Sequence, residues 1–224
     1  MAFDFKSARF WAEEMLRQRI EPGARVIDAT MGNGKDTLWL AGLVGETGKV
    51  YAFDVQKDAV ERSRARLEEA GLLDRVRLIH DGHERVLSHV QEPVDAAVFN
   101  LGWLPGGDKR FTTRVDTTLQ ALKGCLELLK PGGLMTICAY PGHEEGELER
   151  RAIQEWAAAL DSARYDALTK AYLNQPNKPP QLFAIKRVKL EKWGREPPPG
   201  RAARRRIPMR AFLFTGRARN GIIK

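Results

Sequence analysis

The stretch "ARVIDATMGNGKDT" (residues 24–37) runs from a short apolar segment through two glycines into a helical pattern. Gly32 and Gly34 let the backbone turn tightly and approach a bound ligand, and a helix is predicted to begin near Lys35. A strand that passes through a glycine turn into a helix is the first half of a βαβ unit. This arrangement is typical of nucleotide-binding α/β proteins.

Further apolar runs alternate with helical patterns along the chain, which predicts a parallel sheet covered by helices. The segments at 164–173 and 181–188 are also strand-like, and the link "NQPNKPP" (174–180) is too short for a crossover helix. These two segments should therefore pair as an antiparallel hairpin at one edge of the sheet. The predicted fold is α/β, a doubly wound Rossmann-like sheet that is mostly parallel and ends in an antiparallel hairpin. The parallel strands are predicted at 24–29, 49–54, 75–80, 94–100 and 133–140, and the helices at 35–44, 57–70, 83–90, 112–129 and 144–160.

The net charge of +8 is concentrated near the C-terminal end. Residues 186–224 hold 13 Lys and Arg against two acids, whereas the rest of the chain holds 24 basic and 27 acidic residues. Nucleic-acid binding by the main body therefore does not follow from the overall charge. We divide the chain into a domain over 1–188 and a basic, Pro- and Arg-rich tail over 189–224, predicted to be flexible. The tail either adds salt-dependent affinity for RNA phosphates or is a solvated extension without a specific partner.

Several classes of protein are excluded by length and composition. At 224 residues the chain can form one full-sized domain with its own core. Its apolar runs are far shorter than the roughly 20 residues that cross a bilayer, and residues 1–20 lack the apolar core of a secretory signal. Cys125 and Cys138 make neither a disulfide framework nor a zinc site. We therefore expect a cytoplasmic protein with no membrane segment and no metal.

An acidic residue follows each of the first three predicted strands: Asp28, Asp54 and Asp81. Asp54 can accept hydrogen bonds from both hydroxyls of a ribose, and Asp81 can accept from an adenine amino group, with His83 alongside. Carboxylates at three strand ends favour a cationic, donor-rich ligand such as S-adenosylmethionine over a dinucleotide, whose pyrophosphate they would repel. Thr37 also stands where a dinucleotide fingerprint has its third glycine.

Each of these residues has a purely structural alternative. Asp28 can brace the glycine turn, Asp54 can cap the following helix, and His83 can simply begin a helix.

Six motifs occur in order along the chain: "DATMGNGKDT" (28–37), "AFDVQ" (52–56), "DGHE" (81–84), "FNLGWLPGGDK" (99–109), "YPGHEEGE" (140–147) and "LNQPNKPP" (173–180). Together they resemble one family of class I methyltransferases, long labelled rRNA methylases and associated with tRNA wobble-uridine modification. The family includes enzymes that methylate 5-aminomethyl-2-thiouridine. The resemblance covers about residues 5–188, and its most specific part is the combination of the fourth and fifth motifs.

The resemblance implies a site for S-adenosylmethionine at the ends of the first strands, and it implies that Asn100 faces the transferred methyl group. The implied cofactor contacts are Gly32, Asn33, Gly34, Asp54, Gln56, Asp81 and His83, to which we add Asp28, Asp36, Thr37 and Asn100.

Methyl transfer from a sulfonium to an amine needs aligned reactants and no acid–base dyad. This agrees with the stretch 99–109, which has no nucleophile and no carboxylate pair. Asn100 is predicted to be catalytic, because its carbonyl can accept a hydrogen bond from the incoming amine, although it can also simply close a turn. Tyr140 and His143 are further catalytic candidates, and His143 either relays a proton or caps the helix that follows it. The predicted substrate-binding residues are Gly102, Trp103, Leu104, Asp108 and Asn174, with Trp103 replacing an expected tyrosine.

The predicted function is methylation of the amine of 5-aminomethyl-(2-thio)uridine at the tRNA wobble position, with the tRNA anticodon loop as partner. Three alternatives remain: a methyltransferase acting on rRNA or a small amine, a non-catalytic module that binds S-adenosylmethionine and RNA, and, least favoured, an NAD-dependent oxidoreductase. The oligomeric state stays open, with a homodimer as one alternative.

Overall fold

The structure, a computed structural model of the chain, describes residues 6–103 and 112–188. Helices and strands alternate through most of this range, and two short 3-10 turns lie at Leu73–Arg75 and His83–Arg85. The elements are α1 (Ala8–Arg17), β1 (Arg25–Asp28), α2 (Lys35–Val44), β2 (Lys49–Asp54), α3 (Lys57–Glu69), β3 (Val76–His80), α4 (Val86–His89), β4 (Val94–Asn100), α5 (Val115–Leu128), β5 (Leu129–Ala139), α6 (Glu144–Ala158), β6 (Tyr165–Lys170) and β7 (Gln181–Arg187).

The seven strands form one sheet in the order β3-β2-β1-β4-β5-β7-β6. The first five strands are parallel, and β7 is antiparallel to both β5 and β6. The doubly wound sheet and its antiparallel hairpin, both predicted from the sequence, are confirmed. The chain runs outward from β1 to β3 and then crosses to β4 on the other side of β1, so β1 and β4 flank the topological switch point. Open α/β sheets bind their ligands beside the carboxyl ends of such strands.

Both faces of the sheet are covered, and its central strands β1 and β4 are accordingly buried over most of their length. On one face Ile27, Phe53 and Phe99 pack with residues of α5 and α6. On the other face Val26 and Val50 pack with residues of α1, α2 and α3. The fully buried strand β4 thus passes through the middle of the core and delivers Asn100 to the switch point.

Two segments of the chain differ from the secondary structure predicted from the sequence. Helix α5 ends before "KPGG" (130–133) as expected, but the chain enters β5 directly at Leu129, and a register shift opposite β4 accommodates the glycines. The segment predicted as a helix over 83–90 is a 3-10 turn followed by the four-residue helix α4.

Helix α1 was not predicted from the sequence. Ser7 caps it by accepting a hydrogen bond from the amide of Phe10, and Ala8, Ala12 and Leu16 form its buried face. Part of this face packs beside Cys138 of β5 and Leu182 of β7. The N-terminal part of helix α1 therefore lies next to the carboxyl end of β5.

No helix in the described ranges 6–103 and 112–188 is long and apolar enough to cross a membrane. Cys125 and Cys138 are free, buried thiols, and burial raises the pKa of Cys138 to about 12.

Candidate active site

A cavity of about 990 Å³ opens where the carboxyl ends of β1 to β5 meet, at the switch point of the sheet. Most of the predicted site residues line it. They are Gly32, Asn33, Asp36, Asp54, Gln56, Asp81, His83, Asn100, Gly102, Trp103, Tyr140 and His143. Four other predicted residues, Asp28, Gly34, Thr37 and Asn174, do not line the cavity. Leu104 and Asp108 lie outside the described residues.

The glycine turn uses its two glycines in different ways. Gly32 and Gly34 have φ angles of +53° and +73°, which favour glycine. A Cβ on Gly34 would lie 2.6 Å from Ser63 Oγ and 2.9 Å from Ser63 Cα of helix α3. Gly34 therefore allows the turn to pack against α3 from behind, and Ser63 Oγ donates to the carbonyl of Gly32 over 3.0 Å. The close contact with Ser63 and the positive φ angle account for glycine at position 34, and the predicted contact of Gly34 with the cofactor stays a prediction.

Asp28 braces this turn from below. It is fully buried, and its carboxylate accepts from Thr37 Oγ1 at 2.6 Å and from the amide of Thr30 at 3.2 Å. Burial raises the pKa of Asp28 to about 7. The sequence left two interpretations of Asp28 open, and the described contacts correspond to the structural one. Asp28 and Thr37 form a hydrogen bond with each other, and neither lines the cavity.

Asp54 joins the end of β2 to the glycine turn. Its Oδ2 accepts from the amide of Gly32 at 2.9 Å and its Oδ1 from the amide of Gln56 at 2.8 Å. Burial raises the pKa of Asp54, although both amides act in the opposite direction. Each carboxylate oxygen keeps a further lone pair, so Asp54 can still accept from hydroxyls of a bound ligand.

Asp81 and His83 occupy the end of β3 and the turn after it. Asp81 accepts from His89 Nε2 at 2.7 Å, and this hydrogen bond is the main cause that lowers the pKa of Asp81. His83 is buried, which lowers its pKa, and its Nδ1 lies 3.0 Å from the carbonyl oxygen of Ala29. Because a carbonyl only accepts, Nδ1 carries the proton and Nε2 of the neutral ring is an acceptor.

Asn100 is held in a fixed orientation. Its side-chain Nδ2 donates to Asp36 Oδ2 at 2.6 Å, and its backbone amide donates to Thr30 Oγ1 at 2.7 Å. The other oxygen of Asp36 pairs with Arg9 of helix α1. One N–H of Nδ2 donates to Asp36, which fixes the orientation of the amide and leaves its carbonyl Oδ1 as an acceptor for a ligand, and no residue in the described part of the chain donates to that oxygen. Sequence reasoning missed Arg9, and the capped amphipathic pattern from Ser7 onward was the signal that could have located it.

Burial raises the pKa of Asp36, while Arg9 and the amide of Asn100 act to lower it. The described hydrogen bonds of Asp36 give it a part in orienting Asn100. Its predicted contact with the cofactor stays a prediction.

Tyr140 and His143 follow β5. Tyr140 is partly buried, and burial raises the pKa of its hydroxyl. His143 is the N-cap of α6, since its Nδ1 accepts from the amide of Gly146 at 3.1 Å. Because Nδ1 accepts, the ring proton lies on Nε2, a buried atom for which the described residues offer no hydrogen-bond partner. The Trp103 ring lies close to it, with ring centroids 4.4 Å apart. The capping interpretation of His143 is the one seen, and a role in proton transfer stays a prediction.

The contact of Asn174 with the substrate stays a prediction. Asn174 is exposed and is not among the residues that line the cavity, whereas Asn177, Lys178, Pro179 and Pro180 of the same motif line it. The reason is topological. Strand β7 begins at Gln181 opposite Ala139, so the residues just before β7 lie over the carboxyl end of β5, whereas β6 is the outer strand.

Comparison with known proteins adds the family. The model of a family described as "Putative rRNA methylase" matches residues 50–186. The chain belongs to this family. The resemblance identified from the motifs is thereby confirmed.

Three relatives illustrate the similarity. A chloroplastic tRNA (mnm(5)s(2)U34)-methyltransferase of Arabidopsis thaliana is 38% identical over 195 residues, which cover 83% of this chain and 71% of that protein. The crystal structure of a "putative rRNA-methylase" from Clostridium thermocellum is 38% identical with a TM-score of 0.81, covering 83% of this chain and all of that one. A "putative methyltransferase" from Streptococcus mutans, solved in complex with SAH, is 38% identical with a TM-score of 0.76 and the same coverage.

The cofactor of this methyltransferase is S-adenosylmethionine, and the residues present fit it. The cavity offers hydrogen-bond acceptors at Asp54, Asp81, His83 Nε2 and Asn100 Oδ1. The hydroxyls, amines and positive charge of S-adenosylmethionine require such acceptors. Among the described residues, no group of three or more His, Cys, Asp or Glu is arranged to hold a metal ion.

Proposed function

We propose that this methyltransferase transfers a methyl group from S-adenosylmethionine to the amine of 5-aminomethyl-(2-thio)uridine at the wobble position of tRNA. The observation that carries the proposal is the oriented amide of Asn100, whose Oδ1 has no donor among the described residues while Nδ2 is held by Asp36. An acceptor atom fixed at the switch point suits an incoming amine. The relative whose name specifies this wobble nucleoside supports the choice of substrate.

In this mechanism the bound cofactor supplies a methyl group already activated by a sulfonium. Asp54 would hold the nucleoside part of the cofactor through the lone pairs that the amides of Gly32 and Gln56 leave open, with Asp81 and His83 beside it. Asn100 Oδ1 accepts an N–H of the neutral amine and directs the nitrogen lone pair toward the methyl group. The C–N bond would form as the methyl–sulfur bond breaks, the sulfur would leave as a neutral thioether, and one N–H proton of the product would be released to solvent. Asp36 and Arg9 keep the amide of Asn100 in that orientation. Most of the rate enhancement in such a site comes from alignment and exclusion of water.

Charges at the rim of the cavity support an RNA substrate over a small amine. Lys35, Arg114 and Lys178 are exposed and line the cavity, and none of them forms an ion pair within the described ranges. Lys178 also has a φ angle of +43°, a conformation uncommon for a lysine. Cations placed in this way can neutralise the phosphates that flank a target nucleotide.

Substitution of one of these cations tests the RNA contact. Lys178→Ala is expected to weaken tRNA binding at low salt and to reduce the slope of log affinity against log salt by about one. Lys123→Ala on helix α5 is the matched control, because Lys123 is exposed and lies away from this cavity. Fluorescence anisotropy with labelled tRNA at several salt concentrations measures both. Equal behaviour of the two variants would remove Lys178 from the interface.

Methylation of rRNA is the second candidate, since the family description names that substrate. Purified protein and S-adenosylmethionine should be incubated with unmethylated tRNA, with rRNA and with the free aminomethyl nucleoside, followed by nucleoside mass spectrometry. Transfer to tRNA alone is the expected result. Asn100→Ala should lower kcat about 100-fold, because a misplaced reactant loses most of its alignment, while affinity for S-adenosylmethionine stays close to wild type. Transfer to rRNA alone would select the second candidate.

Two further inferences from the sequence, the domain boundary near residue 188 and the cytoplasmic location, stay predictions. The oligomeric state stays open. The tail over 189–224 lies outside the described residues. Truncation after Val188 should reduce tRNA affinity at low salt if the tail contacts phosphates, and unchanged affinity would remove the tail from the proposal.

A further inference from the structure

Helix α6 carries a buried carboxylate, Glu149, which does not line the cavity. Its side chain is only 1% exposed. Both of its oxygens accept hydrogen bonds from threonine hydroxyls, one from Thr118 Oγ1 at 2.6 Å and one from Thr113 Oγ1 at 2.7 Å. Burial raises the pKa of Glu149, and the two hydroxyls act to lower it. An apolar side chain could fill the same space between the helices without the free-energy cost of desolvating a carboxylate. Packing alone therefore does not explain why a glutamate occupies this position.

The hydroxyl of Thr113 connects Glu149 to the cavity wall. Thr113 Oγ1 accepts from the amide of Gly102 at 2.8 Å, and the amide of Thr113 donates to the carbonyl of Gly102 at 3.1 Å. Next to this pair, Trp103 and Thr112 form an antiparallel bridge. The residues on the two sides of 104–111 are thus joined side by side, two positions beyond Asn100.

The direction of these hydrogen bonds is fixed. Thr113 Oγ1 accepts a hydrogen bond from the Gly102 amide, so the single hydroxyl proton of Thr113 is donated to Glu149. Only a strong acceptor at position 149 holds the hydroxyl in this orientation. Thr118 holds Glu149 from helix α5, and its hydroxyl donates to Glu149 rather than to Gly102, which separates the anchoring of the carboxylate from its action on the cavity wall.

We propose that Glu149 is a positioning residue for methyl transfer, which acts through Thr113 to hold Gly102 and Trp103 beside Asn100 on the acceptor side of the cavity. This inference rests on the proposed function, because it assigns that wall to the acceptor nucleoside. Glu149 itself touches neither cofactor nor acceptor.

Two isosteric substitutions distinguish positioning from simple packing of α5 against α6. Thr113→Val and Thr118→Val each remove one hydrogen bond from Glu149, and Thr113→Val also removes the acceptor of the Gly102 amide. Urea unfolding should therefore show a loss of stability in Thr113→Val at least as large as in Thr118→Val, and only Thr113→Val frees the Gly102 amide. Its kcat/KM for tRNA is expected to fall at least tenfold, with affinity for S-adenosylmethionine unchanged, whereas Thr118→Val should keep activity within about threefold of wild type. Thr113→Ser, which keeps the hydroxyl, should restore most of the activity.

Hydrogen–deuterium exchange provides a readout that does not depend on activity. The peptide that contains Gly102 and Trp103 should exchange faster in Thr113→Val than in wild type or Thr118→Val. Equal exchange in the two valine variants, equal losses of activity, or failure of Thr113→Ser to restore transfer would overturn the role of Glu149. Wild-type protein that methylates no tRNA would instead refute the proposed function, and the exchange experiment would still test the link from Glu149 to the wall.

Discussion

Substitution of Gly34 by alanine tests how the glycine turn of the cofactor site is held. Gly34 has a φ angle of +73°, and an added Cβ would lie 2.6 Å from Ser63 Oγ and 2.9 Å from Ser63 Cα. The Cα atom belongs to the backbone of helix α3 and cannot rotate away. Gly71 offers a matched control, because its φ angle is +65° and an added Cβ would meet nothing within 4 Å.

The two substitutions share one energetic cost and differ in another. Alanine in the left-handed region costs about 1–2 kcal/mol at either position. Forcing a methyl group into a packed site adds about 1–3 kcal/mol, and this second cost falls on Gly34 alone. The free energy of unfolding should therefore drop by about 1–3 kcal/mol more in Gly34→Ala than in Gly71→Ala.

The same displacement should move Gly32 and Asn33, which line the cavity, away from the cofactor. We expect the affinity for S-adenosylmethionine, measured by calorimetry, to fall at least tenfold in Gly34→Ala, equivalent to about 1.4 kcal/mol, and to stay unchanged in Gly71→Ala. Urea unfolding followed by circular dichroism gives the stability difference. Equal stability losses in the two variants, or normal cofactor binding by Gly34→Ala, would refute the packing argument.

Other residues of the site give three further predictions. Burial raises the pKa of Asp28 from 3.8 to about 7, so between these pH values the folded state retains a proton that the unfolded state releases. The free energy of unfolding should therefore fall as the pH rises from about 4 to 7. Unfolding measured at several pH values should show a flatter pH dependence of stability for Asp28→Asn. Asp54→Ala should abolish measurable binding of S-adenosylmethionine in calorimetry, and intact binding would place the ribose contact elsewhere. Gly146→Ala should lower the unfolding midpoint, because a Cβ there would collide with the Tyr140 carbonyl, whereas Gly142→Ala meets nothing within 4 Å and should not.

The parts of the site that sequence could predict are those fixed by short-range pattern. Asp54 and Asn100 end apolar runs, and the carboxyl ends of parallel strands meet at one edge of a sheet, so their neighbourhood follows from the topology. The glycines of the turn indicate backbone with a positive φ angle. Even here the sequence left the role of Asp28 open, because bracing contacts and ligand contacts require the same residue type.

The parts that could not be predicted depend on contacts between distant segments. Arg9 reaches Asp36 from a helix 27 positions earlier, and its pattern alone is that of an ordinary surface helix. Glu149 lies in the acidic run "EEGELER" and looks like a solvated residue, although its partners Thr113 and Thr118 bury it. A local pattern can locate a helix and its cap, as it does from Ser7 onward, but the pairing of its side chains with a distant segment is set by helix packing and leaves no local signal in the sequence.

Mass spectrometry of wobble nucleosides, from the tRNA of a strain that lacks this gene, tests the proposed function most directly. The unmethylated 5-aminomethyl nucleoside should accumulate and its methylated form should disappear. The wild-type gene should restore the methylated form, and a gene encoding Asn100→Ala should not. An unchanged wobble-nucleoside profile in the deletion strain would contradict the assignment of this methyltransferase to the tRNA wobble position.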